Sequence, residues 1–76
     1  MKIYILCYSS EEYGNGDPEV FKTYIDAENA LIKHYNEDVN GDFGLVGDHE
    51  LDLNKGWAYI NINESNTEYQ IYGKDI

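Results

Sequence analysis

The stretch TYIDAENALIKHY, residues 23–35, decides the fold class. Tyr24, Ala27, Ala30, Leu31, His34 and Tyr35 recur at the three- and four-residue spacing that lines one side of a helix. Thr23 precedes them, with Asp26 three residues on and Glu28 close behind. A hydroxyl there can accept from the unpaired amides of the first turn, and acids suit the positive end of the helix dipole. The following NEDVNG, residues 36–41, predicts the end of the helix. A single amphipathic helix has to lay its stripe against another element, and the flanking segments supply one.

On the N-terminal side, KIYILCY (residues 2–8) alternates Ile3, Ile5 and Cys7 with Tyr4, Leu6 and Tyr8, which predicts an interior strand apolar on both faces. SSEEYGNGD (residues 9–17) reads as a mobile loop, Pro18 suits the start of a strand, and EVFK (residues 19–22) predicts a second strand antiparallel to the first. Beyond the helix, Phe43, Leu45 and Val46 stand in a glycine-rich segment with no assignable period. His49 to Leu53 alternates, Asn54-Lys55-Gly56 is a turn signal, and WAYININ (residues 57–63) places Ala58, Ile60 and Ile62 on one face. Glu64-Ser65-Asn66 predicts a turn before a last strand over residues 67–72. The order ββαβββ is an α+β fold of two layers, one helix packed on one face of an antiparallel sheet. Residues 1–76 are expected to form a single domain.

Charge limits the functions open to this chain. Fifteen acids against five lysines and no arginine give a net charge of −10, and the lysines are scattered. Direct nucleic-acid binding needs clustered cations and is not expected. A hydrophobic content of 42% with 14% aromatics is too rich for a disordered acidic tail. Eight of the aromatics are tyrosines, which suit half-buried positions and interfaces. Cys7 has no cysteine partner and reads as a small buried hydrophobe in a strand, in keeping with a reducing compartment. The N-terminus has no secretory apolar run, and no stretch approaches the ~20 apolar residues of a membrane span. The expected location is cytoplasmic, without membrane association.

No catalytic or cofactor pattern stands out. Cys7 is predicted in an interior strand and His34 on the helix stripe, away from the accessible, electropositive setting a nucleophilic thiol requires. Glu11-Glu12, Glu37-Asp38 and Asp48/Glu50/Asp52 lack the contrasting environments of an acid–base pair. One cysteine and two distant histidines make no zinc site. Gly14-Asn15-Gly16 lacks the Lys-Ser/Thr and the helix of a phosphate loop. Asn36 to Asp42 imitates the front of a calcium loop, yet position twelve is Gly47 or His49 where a bidentate Glu is needed. No enzyme activity, metal or cofactor is therefore expected.

The group Asp48, Glu50 and Asp52 is more telling. Alternation predicts these three carboxylates on one face of a strand, about 6.7 Å apart, with Leu51 and Leu53 toward the core. Such a row is similar in scale to successive phosphates of a nucleic-acid strand. Glu11, Glu12 and Tyr13 in the acidic loop are the other candidate partner contacts.

In size, charge, richness in Tyr, Asn, Asp and Glu, the start MKIYILCYSS and the join VFKTYIDAENA, the chain resembles the small acidic anti-defence proteins of phages and mobile elements, of anti-CRISPR or anti-restriction type. That resemblance implies a stoichiometric inhibitor, without cofactor, that occupies a nucleic-acid-binding surface of its target. The expected partner is a basic protein or ribonucleoprotein such as a defence nuclease complex, bound by a monomer or dimer. The alternative reading is a small regulatory or structural interaction domain whose acidity serves solubility.

Overall fold

A computed structural model describes residues 1–11, 14–41 and 46–76 of the chain. The elements are β1 (Lys2–Ser10), β2 (Gly14–Asn15), β3 (Glu19–Phe21), α1 (Tyr24–Gly41), β4 (Val46–Asp52), β5 (Trp57–Ile62) and β6 (Ser65–Asp75). All six strands join one antiparallel sheet in the order β2-β1-β6-β5-β4, with β3 continuing the β2 edge alongside β1. The helix packs on one face of it, the expected two-layer α+β arrangement. The sheet's spine is the pairing of the first long strand with the last, from Lys2↔Asp75 to Ser10↔Thr67.

The predicted second strand is β3, while β1 runs on to Ser10 and the two-residue β2 pairs with its end, both inside the segment 9–17 that reads as a loop. Pro18 has no amide to give to a ladder, and the chain leaves β1 between Asn15 and Glu19. Gly16 bridges the break, its amide donating to the Tyr8 carbonyl at 3.2 Å. A Cβ on Gly16 would come 2.7 Å from the Tyr8 ring, so glycine is required where that ring crosses the backbone.

Thr23 caps the helix as predicted, its hydroxyl accepting from the Asp26 amide at 3.2 Å. The helix does not stop at Asn36. It runs five residues further to Gly41, although its last turn carries no basic residue to offset the dipole. Tertiary contacts hold it there: Val39 packs on the core and Asp38 accepts a hydrogen bond from the Tyr69 hydroxyl. Asn36–Gly41, the front of the segment that imitates a calcium loop, is thus helix.

Two further boundaries differ from expectation. The β5–β6 connection is the two-residue turn Asn63-Glu64, with φ of 50° and 67°, and Ile62 pairs directly with Ser65. Positive φ at both positions is what a right-twisted hairpin demands, and Asn tolerates it better than most residues. β4 starts at Val46, three residues before the expected His49.

Small residues let helix and sheet approach. Ala27 and Ala58 are wholly buried where they meet, with Leu31 and Ile60 as the largest fully buried side chains. Each of those two contributes about 1.5–3 kcal/mol by leaving water. Leu6, Tyr69 and Ile71 complete the core. Five of the eight tyrosines (Tyr4, Tyr8, Tyr24, Tyr35 and Tyr69) pack into or against it, a larger structural share than their amphipathic character implied. Their hydroxyls reach the rim of the layer. Tyr24 donates to the Leu53 carbonyl at 3.1 Å, and the Tyr35 hydroxyl lies 2.5 Å from His49 Nδ1.

Candidate partner-binding face

β-Strand alternation gives the sheet a second face that α1 does not cover. The register across β4, β5, β6 and β1 sets it out as rows. One row runs Glu50, Tyr59, Glu68, Ser9; the next runs Asp52, Trp57, Gln70, Cys7. A third joins Tyr72, Ile5 and Val20. Carboxylates and aromatics therefore lie toward β4 and β5, and an apolar row lies toward β3. Val20 is 60% and Tyr72 55% exposed.

The rings of Trp57 and Tyr59 lie parallel, 6.2 Å between centroids, as expected of alternate residues on one strand. The Trp57 indole N–H points to Glu68 Oε2 at 3.5 Å. Tyr59 donates to Asn66 Oδ1 at 3.0 Å, and Asn61 Nδ2 donates to the same oxygen at 3.0 Å. Asn66 in turn donates its side-chain amide to Glu11 Oε1 at 3.0 Å and its backbone amide to Glu11 Oε2 at 3.3 Å. This lateral network fixes the aromatic side chains without a second layer to pack them.

The predicted site residues separate into different roles. Glu50 sits on the open face opposite Tyr59. Asp52 shares that face, but its Oδ1 accepts from the amides of Asn54 (3.0 Å) and Lys55 (3.2 Å), so it also builds the β4–β5 turn. Asp48 falls at a register irregularity between Val46 and His49, where Gly47 and Asp48 together oppose Asn61. Alternation runs back from Asp52 through Glu50 to Asp48 and breaks between Asp48 and Val46, so the irregularity sits at the first member of the row. Leu51 packs on the core as predicted, whereas Leu53 lies past the strand in the turn and is exposed. Glu11 is spent on Asn66 and closes the end of the sheet. Glu12 and Tyr13 lie outside the described residues.

Sequence reasoning missed Glu68, Trp57 and Tyr59 as parts of this face. The signal was present in WAYININ, whose residues opposite Ala58, Ile60 and Ile62 are aromatic or amide-bearing. It also read Cys7 as buried; the thiol is half-buried on the open face, because only the Tyr4/Leu6/Tyr8 side of β1 meets the helix.

A second cluster lies on the helix side of the edge-strand break. His34 Nε2 donates to Glu19 Oε1 at 2.5 Å, and the His34 ring stacks on Tyr69 at 5.8 Å. These residues and Asp38 line a cleft of about 280 Å³. Burial first, and then the hydrogen bond to Asp38, push the Tyr69 phenol well above its ordinary value. His34, expected on the helix stripe that packs against the sheet, is half-buried at this rim. The cluster ties α1 to β3 and β6 and brings no nucleophile with it. Among the described residues no group of three or more His, Cys, Asp or Glu side chains is placed to hold a metal ion, and no helix is long and apolar enough to cross a membrane.

Comparison with known proteins finds no matching family model, no matching curated protein and no matching solved structure.

Proposed function

We propose that this chain is a non-enzymatic binding protein that docks its open sheet face on a basic, nucleic-acid-binding surface of a partner protein or ribonucleoprotein, as the anti-defence proteins it resembles do. The observation that carries this reading is the row Glu50–Tyr59–Glu68, two carboxylates flanking an aromatic straight across three strands. Neighbouring strands lie about 4.8 Å apart, so the two strands that carry these carboxylates are about 9.6 Å from one another, on a face with no helix over it. In a chain of net charge −10, their field adds to that of the whole molecule and steers encounter with a cationic groove. A reducing cytoplasm, where such a target would sit, suits the single thiol.

A salt-graded pull-down tests it. A bound partner should elute steeply as salt rises. The double variant Glu50→Gln/Glu68→Gln should hold it less well than Glu37→Gln/Asp75→Asn, which removes the same charge elsewhere. Equal retention by the two double variants would remove this face from the reading.

The alternative, a small interaction domain whose acidity serves solubility, is favoured by the exposed apolar row Val20–Ile5–Tyr72. Docking through that row would bind with little dependence on salt and would be lost in Tyr72→Ala.

A further inference from the structure

The open face is not flat at the edge-strand break. Because the chain departs from β1 at Gly16-Asp17-Pro18, Cys7 has Gln70 on one side and no strand residue on the other. A small side chain beside a missing neighbour leaves a groove of about 330 Å³, with Cys7 and Gln70 in it, Glu68 and Ser9 toward one end, and Tyr72 and Pro18 at its walls.

The polar groups of this groove are arranged to accept. Gln70 turns its Nε2 onto the carbonyls of Lys55 (3.0 Å), Ile71 (3.2 Å) and Gly56 (3.4 Å), which leaves Oε1 as the end of the amide with accepting capacity to spare among the described residues. The Glu68 carboxylate can only accept, and its one long contact from the Trp57 indole engages Oε2 and leaves Oε1 available among the described residues. Ser9 is exposed beside it. Beyond these acceptors stands the face of Tyr72, more than half exposed.

We infer that this groove is the seat of a single arginine side chain of the basic partner, an inference that rests on the proposed docking function and specifies how the partner is held. A guanidinium is planar, carries five donors and no acceptor, and stacks on aromatic rings. Its head lies against the Tyr72 ring and turns its donors to the Glu68 carboxylate and Gln70 Oε1, and its stem runs along Pro18. A lysine ammonium offers the charge without the plane or the paired donors, so the groove discriminates between the two cations where the Glu50 end of the face does not.

The test uses hexa-arginine and hexa-lysine as probes of equal charge, titrated against the intact chain at near-physiological salt with Trp57 fluorescence as readout. Hexa-arginine should bind about tenfold more tightly than hexa-lysine and should slow alkylation of Cys7 by iodoacetamide, which hexa-lysine should not. Glu68→Gln and Tyr72→Ala, both at exposed positions, should each remove the arginine preference, while Glu50→Gln weakens both peptides alike. Equal binding of the two peptides, or an arginine preference that survives both groove variants, overturns the inference and leaves the docking function standing. Binding of neither peptide even at low salt overturns both.

Discussion

The two faces of this sheet are made from alternate residues of the same strands and hold their side chains in different ways. On β5, Ala58 and Ile60 are wholly buried under the helix, whereas Trp57 and Tyr59 between them stay half-exposed and are fixed by stacking and hydrogen bonds within their own layer. The covered face is neutral and apolar at its centre and keeps its polar groups for the rim. The open face carries carboxylates, amides and aromatics side by side. Cohesion comes from the first face through loss of water contact, and the second leaves its polar and aromatic groups open to solvent. A chain with a charge of −10 can fold because its acids stay off the one surface that must be dry.

The widest contrast is expected from truncation on either side. Ile60→Ala should cost about 2–4 kcal/mol, through lost burial plus a cavity beneath Leu31. Tyr72→Ala on the open face should cost less than about 1 kcal/mol. Urea unfolding of both variants measures the difference. Comparable losses would mean that the open face is covered in solution by a second copy.

Gly56→Ala probes the covered face from its margin. Gly56 has a φ of +60°, and a Cβ there would stand 3.1 Å from Ile71 Cβ and 3.0 Å from the Tyr24 hydroxyl. Left-handed backbone costs a non-glycine residue about 1–2 kcal/mol before any crowding. A destabilisation of about 2 kcal/mol or more is expected in the same unfolding assay.

Tyr69→Phe removes the tie between β6 and the far end of α1 and should cost about 1–2 kcal/mol at neutral pH. Its pH dependence sharpens the comparison. The folded phenol is raised above 10.0, by burial first and then by its bond to Asp38. Tyr24 and Tyr35 are raised as well, each chiefly by burial. Above pH ~10 the unfolded chain gives up these protons while the folded chain keeps them, so the unfolded state binds fewer protons and stability falls as pH rises. Below that pH the contribution is fully present. Thermal melts across the alkaline range should decline less steeply for Tyr69→Phe than for the parent.

The smallest effect belongs to the open, charged side. Among the described residues the one side-chain ion pair is His34–Glu19, which is charged on both sides only when the histidine is protonated. Screening the mutual repulsion of the remaining acids should therefore raise the melting temperature modestly between low and moderate sodium chloride. A fall over that range would show that the carboxylates are engaged in attractive pairs.

Periodicity made the middle of the molecule legible. The stripe from Tyr24 to Tyr35, the Thr23 cap, the alternation of β1 and the inward set Ala58, Ile60 and Ile62 all follow from local spacing, and all lie where the structure packs them. The errors fall where a distant partner decides. NEDVNG has poor helix formers and stays helical because Asp38 and Val39 find β6 and the core. Nothing local announces the extra residue that β4 carries at Gly47-Asp48, next to the row Asp48, Glu50, Asp52. Glu68 could not be joined to Glu50 beforehand, since their relation depends on two strand registers at once. Alternation in β1 marks both of its faces as apolar, and nothing local says that one helix will cover only one of them.

Both borders of the sheet are poor templates for further strands. One is cut by Pro18 into pieces of two and three residues; the other, β4, combines its irregularity at Gly47-Asp48 with outward carboxylates at Glu50 and Asp52. Edges of this kind resist end-to-end growth into fibrils. The protection at β4 is partly electrostatic, so salt that screens these carboxylates weakens it while the backbone groups of that border still point outward. Of the two borders, β4 is thus the one whose resistance to edge-to-edge pairing should weaken as salt rises, while the break at Pro18 is built into the chain and does not depend on salt.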